Sequence, residues 1–139
     1  MSYCGIILPS IVGCLIFIRQ GINMFFVEYP KCTTCKRAKS WLDEHGIEYT
    51  DRNIKEENPA YDELKEWHKL SGLPLKKFFN TSGMLYRSME LKSKLDNMSE
   101  EDQLKLLSSD GMLVKRPIVI NDGKVIVGFR SEEWEKELA

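Results

Sequence analysis

Two cysteines three residues apart, Cys32 and Cys35, lie between a short apolar run and a helical pattern, and this arrangement constrains the fold more than any other feature. The preceding run, residues 24–28, is typical of a buried strand. The pattern over 36–44 predicts a helix, and residues 47–51 alternate apolar and polar side chains, as a half-buried strand does. The three elements predict a β-α-β unit with the CxxC sequence at its first turn.

The position of the CxxC sequence predicts thiol redox chemistry. Two thiols at this spacing can close a disulfide with little backbone movement. A cysteine near a helix N-terminus meets unpaired backbone N–H groups and the positive end of the helix dipole, which favour the thiolate. Because a thiolate is the nucleophile in disulfide exchange and in attack on oxyanions, we predict Cys32 as the nucleophile and Cys35 as the resolving thiol. The alternative is a pair of ordinary cysteines at a helix start.

The rest of the chain predicts a helical middle and a β ending. Helical patterns recur over 60–70, 75–79, 89–95 and 99–107. Two apolar, β-branched runs, 118–120 and 125–127, flank Asp122-Gly123, which is a strong hairpin signal because such a turn needs positive φ. A last short helix follows from Ser131. The predicted fold class is α/β: β-α-β, then a helical insertion, then β-β-α.

Residues 1–23 differ from the remainder of the chain. Residues 6–18 are nearly all apolar, but this run is shorter than the roughly 20 residues that span a bilayer. No Lys or Arg precedes Arg19, whereas a signal peptide normally begins with a basic region. We expect 1–23 to be an apolar extension outside the fold and 24–139 to be one domain. A membrane or export role, or an ordered extra element, remains an alternative for the extension.

The composition argues against several classes of function. The chain has 20 basic and 21 acidic residues and a net charge of −1, so no basic excess indicates direct nucleic-acid binding. A zinc site needs about four ligands, and Cys32 and Cys35 supply two, so we expect no metal. A secreted disulfide framework is disfavoured because 139 residues can bury a core without covalent cross-links. We expect a cytoplasmic monomer with no membrane partner and no bound cofactor.

Beyond the CxxC sequence, the chain resembles the arsenate reductase/Spx family in several stretches. These are 29–35, 75–87, 115–119 and 127–130, so that the resemblance covers nearly everything after residue 23. It implies a thioredoxin-like fold with a helical insertion and a mixed sheet. It also implies that Pro117 is a cis proline that opens a strand, faces the CxxC turn and shapes the substrate groove. The chain is most similar to the short members of the family.

The family's glutaredoxin-coupled arsenate reductases imply roles for individual residues. In those enzymes one cysteine attacks arsenate and three arginines hold the oxyanion. The cysteine corresponds to Cys32, and two of the arginines correspond to Arg116 and Arg130. Guanidinium suits this role because it binds an oxyanion bidentately and stays charged. The third arginine corresponds to Asn80, which adds no charge. Candidates to supply the missing charge are Arg37, Lys76, Lys77 and Arg87.

Cys35 is a second departure from those reductases, which use glutathione to resolve the intermediate. An internal resolving thiol favours a thiol-dependent oxidoreductase that acts on a small oxyanion or a disulfide. Its electrons would come from glutathione, glutaredoxin or thioredoxin. The alternative is an Spx-like redox-sensing regulator that binds the C-terminal domain of the RNA polymerase α subunit. A redox-inert interaction module is the third class.

Overall fold

Strands and helices follow one another along the chain in the predicted order: β-α-β, a helical insertion, then β-β-α. The computed structural model describes residues 24–139, and the predicted extension 1–23 lies outside the described residues. Its strands are β1 (Met24–Glu28), β2 (Thr50–Asn53), β3 (Ile118–Asn121) and β4 (Lys124–Val127). Its helices are α1 (Thr33–Glu44), α2 (Tyr61–Ser71), α3 (Met84–Ser88), α4 (Leu91–Lys94), α5 (Glu100–Ser109) and α6 (Ser131–Leu138). Single 3₁₀ turns cover Leu75–Phe78, Leu95–Asn97 and Gly111–Leu113.

The four strands form one sheet, which is mixed, as predicted, and has the strand order β2-β1-β3-β4. β1 pairs with β2 in parallel, whereas β3 is antiparallel to both β1 and β4. The second strand begins later than its predicted range of 47–51. The N–H of Ile47 donates to the carbonyl oxygen of Leu42 at 3.0 Å, so this stretch closes the end of α1 before strand pairing begins.

Alternation of side chains along β1 and β3 divides the core into two clusters, one on each face of the sheet. On one face, Phe26 and Val119 pack against α1 and α6. On the other face, Val27 and Ile118 pack against the helical insertion. The molecule therefore has helices on both faces of the sheet. Among residues 24–139, no helix has the length and apolar character needed to cross a bilayer.

The helical insertion differs from its prediction in one detail. The predicted helix over 89–95 is found only as α4, Leu91–Lys94; α3, which was not predicted, ends before it at Ser88, and Glu90 lies between the two helices. Glu90 has a φ of 53°, and this left-handed conformation cannot continue a right-handed helix. The sequence pattern did not reveal the break because Glu is a good helix former.

Backbone contacts attach the insertion to the segment that precedes β3 and leads into the predicted cis proline. Phe79 forms an isolated antiparallel bridge with Val114. Asn80 N–H donates to the carbonyl oxygen of Leu113 at 2.8 Å, and Lys115 N–H donates to that of Phe78 at 2.7 Å. Asn80 is thereby held next to the segment that enters β3.

Two local predictions at the C-terminal end of the fold are confirmed. The Arg116–Pro117 peptide bond is cis. Asp122 and Gly123 have φ values of 50° and 81° and join β3 to β4 in a tight hairpin, as the sequence predicted.

Candidate active site

Cys32 lies in the turn that joins β1 to α1. Its N–H donates to the carbonyl oxygen of Tyr29 at 3.0 Å. α1 begins at Thr33, earlier than the predicted residue 36, because Cys32 itself caps the helix: its Sγ accepts a hydrogen bond from the Cys35 N–H at 3.4 Å. The sulfur therefore lies at the N-terminus of a 12-residue helix, where a negative charge is favoured.

The surroundings of the Cys32 thiol favour its ionised form. Partial burial raises its pKa, but hydrogen bonds from the backbone and thiol of Cys35, together with the Arg116 guanidinium, outweigh this effect and hold the pKa below the ordinary thiol value. Arg116 is held in place, since its Nη1 donates to the carbonyl oxygen of Met112 at 3.4 Å. Its Cζ also lies 5.2 Å from the centroid of the Tyr29 ring.

Cys35 lies in the opposite environment. It is fully buried on the inner face of α1, and both it and Cys32 are free thiols. Burial is the main cause that raises the pKa of Cys35 to about 12; a hydrogen bond with the Tyr29 backbone opposes this rise, and the nearby Cys32 sulfur and Glu28 carboxyl add to it. The Cys32 thiol is thus the more acidic of the two, as the predicted nucleophile should be.

Cys32 opens into a cavity of about 680 Å³ between α1, the insertion and the segment that precedes Pro117. Its lining consists of Cys32, Thr34, Arg37, Asn80, Ser82, Gly83, Met84, Leu85, Met112, Lys115, Arg116 and Phe129. Three of these side chains, Arg37, Lys115 and Arg116, are cationic, and among the described residues none that lines the cavity is acidic. The cavity therefore favours an anionic ligand beside the nucleophilic thiol.

Arg130 does not line this cavity. It borders a neighbouring cavity of about 550 Å³, which shares Lys115 and Phe129 with the first. The Arg130 side chain is 78% exposed, and its Nε lies 3.9 Å from a carboxylate oxygen of Glu133. The structure thus brings Cys32, Asn80 and Arg116 together and leaves Arg130 one cavity away.

Asn80 lies on the rim of the cavity in a tight turn. Its carbonyl oxygen accepts a hydrogen bond from Gly83 N–H at 3.1 Å, and its Oδ1 accepts one from the Ser82 hydroxyl at 3.4 Å. A Cβ at position 83 would stand 2.6 Å from Asn80 Nδ2, so Gly83 leaves the space that the amide occupies. Asn80 can donate hydrogen bonds to a ligand but brings no charge.

The candidates for the missing charge have different positions. Arg37 lines the Cys32 cavity, and its Cζ lies 5.8 Å from the Phe129 ring centroid. Lys76 and Lys77 border the neighbouring cavity. Arg87 lines neither of these two cavities, and its Nη2 donates to the carbonyl oxygen of Ser82 at 3.1 Å. Arg37 is therefore the candidate in a position to replace the absent arginine.

Sequence reasoning missed two groups beside the thiols. One is Lys115, which lines both cavities. Its position directly before Arg116 and Pro117 in the sequence could have indicated that it belongs to the site. Glu28 is 4% exposed although it carries a carboxyl group. The sequence signal that could have revealed it is an acidic residue at the end of an otherwise apolar strand. Within residues 24–139, no group of three or more His, Cys, Asp or Glu side chains is arranged to hold a metal ion.

The chain is similar in sequence to known proteins. YusI of Bacillus subtilis is 52% identical over 118 residues, which are 85% of this chain and all of that protein. The global transcriptional regulator Spx of Staphylococcus epidermidis is 32% identical over 109 residues, 78% of this chain and 82% of Spx.

Solved structures are similar over most of the described chain. An ArsC family related protein from Bacteroides fragilis is 54% identical, with a TM-score of 0.81, over 84% of this chain and 98% of that chain. A protein described as a "possible arsenate reductase", from Streptococcus mutans, is 46% identical, with a TM-score of 0.74, over 81% of this chain and 97% of that one.

The chain has a thioredoxin-like fold with a CxxC sequence at the N-terminus of its first helix. This combination is typical of the thiol-redox class of proteins. The family model of the ArsC family matches residues 27–137, and the chain belongs to that family.

Proposed function

We propose that this protein is a thiol-dependent oxidoreductase resembling arsenate reductase, with Cys32 as the nucleophile and Cys35 as the resolving thiol. The observation that supports this most is the position of the Cys32 thiol. It caps α1, its pKa lies below the ordinary thiol value, and it opens into a cavity lined by three cationic side chains. A thiolate in such a cavity is suited to attack an anionic oxyanion or a small disulfide.

With an oxyanion such as arsenate, Cys32 would form an S–As bond while one oxygen leaves as water. Cys35 would then attack the Cys32 sulfur, so that the S–S bond forms, the S–As bond breaks and arsenic leaves as As(III). Two thiols become one disulfide, which balances the two-electron reduction. Arg116 would hold the oxyanion, Asn80 would donate neutral hydrogen bonds, and Pro117 would shape the groove.

The Cys32–Cys35 disulfide must be reduced before another cycle. We propose glutathione, glutaredoxin or thioredoxin as the donor of the two electrons and two protons. A small disulfide could replace the oxyanion as the oxidant in the same cycle. The proposal includes a cytoplasmic location, because the proposed electron donors keep thiols reduced in that compartment.

The test is reduction of arsenate by the purified protein with each of the three donors in turn. We expect turnover above a reaction without protein, loss of turnover in Cys32→Ser, and turnover in Cys35→Ser only when glutathione can resolve the intermediate. Arg116→Ala should lose activity, whereas Arg87→Ala removes an arginine that lines neither of the two described cavities and should retain it. No turnover with any donor would overturn the arsenate proposal.

The similarity to Spx favours a second candidate, a redox-sensing regulator that binds the C-terminal domain of the RNA polymerase α subunit. In this case the Cys32–Cys35 disulfide would be a switch rather than an intermediate. Pull-down of that domain by the reduced and the oxidised protein tests the proposal. We expect binding that depends on the redox state, and absence of binding in both states would eliminate the regulator.

A further inference from the structure

The cavity beside Cys32 holds more positive charge than a single thiolate requires. Arg116 favours the thiolate directly, and Arg37 and Lys115 line the same cavity. Among residues 24–139, none of these three cations forms an ion pair with a carboxylate. Two positive charges therefore remain for a ligand after Arg116 has stabilised the thiolate.

Arg37 and Lys115 reach the cavity from different walls and are held by contacts other than ion pairs. Arg37 is on α1, and its Cζ lies 5.8 Å from the centroid of the Phe129 ring. Lys115 is on the segment before β3, where its N–H donates to the carbonyl oxygen of Phe78 at 2.7 Å. The Lys115 stem passes beside Gly128, since an added Cβ there would lie 3.5 Å from Lys115 Cε. The charged ends of both side chains are thereby available to an anion.

The same cavity has an apolar part. Met84, Leu85, Met112 and Phe129 line it together with the cations. Its volume of about 680 Å³ lies in the range of pockets that bind small organic molecules, and a tetrahedral oxyanion would leave most of it empty. The cavity therefore fits a ligand that combines an anionic group with an organic group.

The lining also lacks an efficient proton donor. Among the described residues that line the cavity, there is no carboxyl group and no imidazole. Reduction of an oxyanion expels an oxygen as water, so protons have to be supplied as the bond breaks. A sulfonate group leaves as the sulfite anion and needs no proton, and a leaving group of low pKa departs faster from sulfur. The lining thus favours a substrate from which Cys32 displaces sulfite.

We propose that the preferred substrate is an organic S-sulfonate, R–S–SO₃⁻, and that Arg37 and Lys115 bind its sulfonate group. The Cys32 thiolate attacks the sulfur that carries R. A bond from Cys32 to that sulfur forms, its bond to the sulfonate breaks, and sulfite leaves with the electron pair. Cys35 then attacks the Cys32 sulfur, and R leaves as RSH with the Cys35 proton. Two thiols become one disulfide while the S-sulfonate is reduced to RSH and sulfite. This inference rests on the proposed function, whose thiol cycle it uses.

The direction of attack gives the three cations different tasks. A thiolate attacks a divalent sulfur in line with the bond that breaks, so the sulfonate lies on the far side of the attacked sulfur. Its distance from the Cys32 sulfur is roughly two S–S bond lengths, or about 4 Å. Arg116 therefore serves the nucleophile, whereas Arg37 and Lys115, on other walls of the cavity, meet the sulfonate. The organic group R contacts the apolar side chains.

Two compounds that transfer the same group to Cys32 separate the effect of the sulfonate from the reactivity of the thiol. Hydroxyethyl thiosulfate and bis-hydroxyethyl disulfide both form the hydroxyethyl mixed disulfide of Cys32, but only the first carries a sulfonate. The full-length chain should carry Cys4→Ser and Cys14→Ser, so that the CxxC thiols alone react. Acid quenching, alkylation and mass spectrometry at low concentrations of each compound give its second-order rate constant for oxidation of the thiols.

The ratio of the two rate constants, S-sulfonate over disulfide, measures the preference for the sulfonate. We expect the ratio for the protein to exceed that for free glutathione by about tenfold or more, because the cavity attracts the anion. Arg37→Ala and Lys115→Ala should each lower the ratio about fivefold. Arg87→Ala, which removes an arginine that lines neither of the two described cavities, is the matched control and should leave it unchanged. Added salt should lower the wild-type ratio, because it screens the charges.

The outcomes distinguish this proposal from the proposed function. A wild-type ratio no greater than that of glutathione overturns the preference for S-sulfonates and leaves the thiol cycle intact. A high ratio that both Arg37→Ala and Lys115→Ala leave unchanged overturns the sulfonate site. If either variant does not fold, the salt dependence decides, and a ratio insensitive to salt overturns the site. If neither compound oxidises the thiols of the wild-type protein, the proposed cycle itself fails.

Discussion

At the scale of single residues, the two thiols of the CxxC sequence have opposite properties although they are neighbours on one helix. Cys32 lies at the N-terminus of α1 beside the Arg116 guanidinium. Cys35 lies one helical turn further along α1 and is buried. The first location stabilises negative charge and the second excludes it. An order of reaction follows from this difference, because Cys32 ionises more readily than Cys35 and should therefore react first.

Arg116 is expected to lower the pKa of Cys32 measurably. Alkylation with iodoacetamide across pH, with each thiol identified by mass spectrometry, should give Cys32 an apparent pKa below the ordinary thiol value. Arg116→Ala should raise this value, because it removes both a hydrogen bond and a positive charge from the sulfur. Arg87→Ala is the matched control and should leave it unchanged. A wild-type value at or above that of a free thiol would contradict the prediction.

Glu28 should make the fold less stable as pH rises. Because its folded-state pKa of about 7 lies above the ordinary value of 4.5, the folded chain binds a proton that the unfolded chain releases. Stability should therefore fall between about pH 4.5 and 7 and stay low above that. Glu28→Gln removes this loss, so it should raise the free energy of unfolding near pH 8 by on the order of 2 kcal/mol more than near pH 5. Urea unfolding at both pH values measures the difference, and an equal effect at the two would contradict it.

At the scale of elements, the sequence predicted best where the signal is local. The strand β1, the CxxC turn and the Asp122-Gly123 hairpin each depend on a few neighbouring residues, and all three are found. The start of β2 was misplaced because Ile47 closes α1 through a backbone bond, which leaves no mark in the alternation of side chains. The Glu90 break was missed for a similar reason: backbone conformation, and not side-chain type, ends the helix there.

Arg52 joins β2 to α2 and should matter more than an ordinary surface charge. Its two terminal nitrogens donate to the two Glu63 carboxylate oxygens at 2.8 and 2.9 Å, and its Nε donates to the carbonyl oxygen of Glu57 at 2.9 Å. Arg52→Ala should lower the free energy of unfolding by about 2 kcal/mol, because it removes charge-assisted bonds that are partly shielded from water.

The control for Arg52 is Lys105→Ala, since Lys105 pairs with Glu101 on an exposed helix surface. That variant should leave the free energy of unfolding nearly unchanged, because the pair is exposed to solvent. Arg52→Lys should restore only part of the loss, because an ammonium group cannot reproduce the forked geometry. Equal effects of Arg52→Ala and Lys105→Ala in urea unfolding would contradict the prediction.

At the scale of the whole molecule, the candidate site is formed by segments that are distant in the chain. Its residues could be predicted from the sequence, but their positions relative to one another could not. Cys32, Arg116 and Asn80 share one cavity because the helical insertion is attached to the segment before β3. Arg130 could not be separated from them by sequence, since the path of the chain after β4 decides which cavity it reaches. The burial of Glu28 likewise depends on strand register and on the position of α1.

The contact between the insertion and the β-α-β unit at Gly111 should be intolerant of any side chain. A Cβ at position 111 would overlap the carbonyl oxygen of Ile54, which is main chain and cannot rotate away. Gly111→Ala should therefore lower the free energy of unfolding by about 3 kcal/mol, at the upper end for overpacking. Gly72→Ala, which meets open space but has a φ of 71°, should cost only about 1 kcal/mol. Thermal unfolding of the two variants tests this, and the reverse order would contradict it.

The bridge between Phe79 and Val114 has a consequence for how proteins of this family diverge. It is built from main-chain atoms, which are the same whatever side chains flank them. Residues on the cavity wall, such as Asn80, can therefore be exchanged without loosening the attachment that positions them. Selection can therefore change which ligand the cavity binds while the cysteine chemistry on the opposite wall stays the same. A library randomised at Asn80, Ser82 and Met84, which line the cavity, would change ligand specificity in the same way.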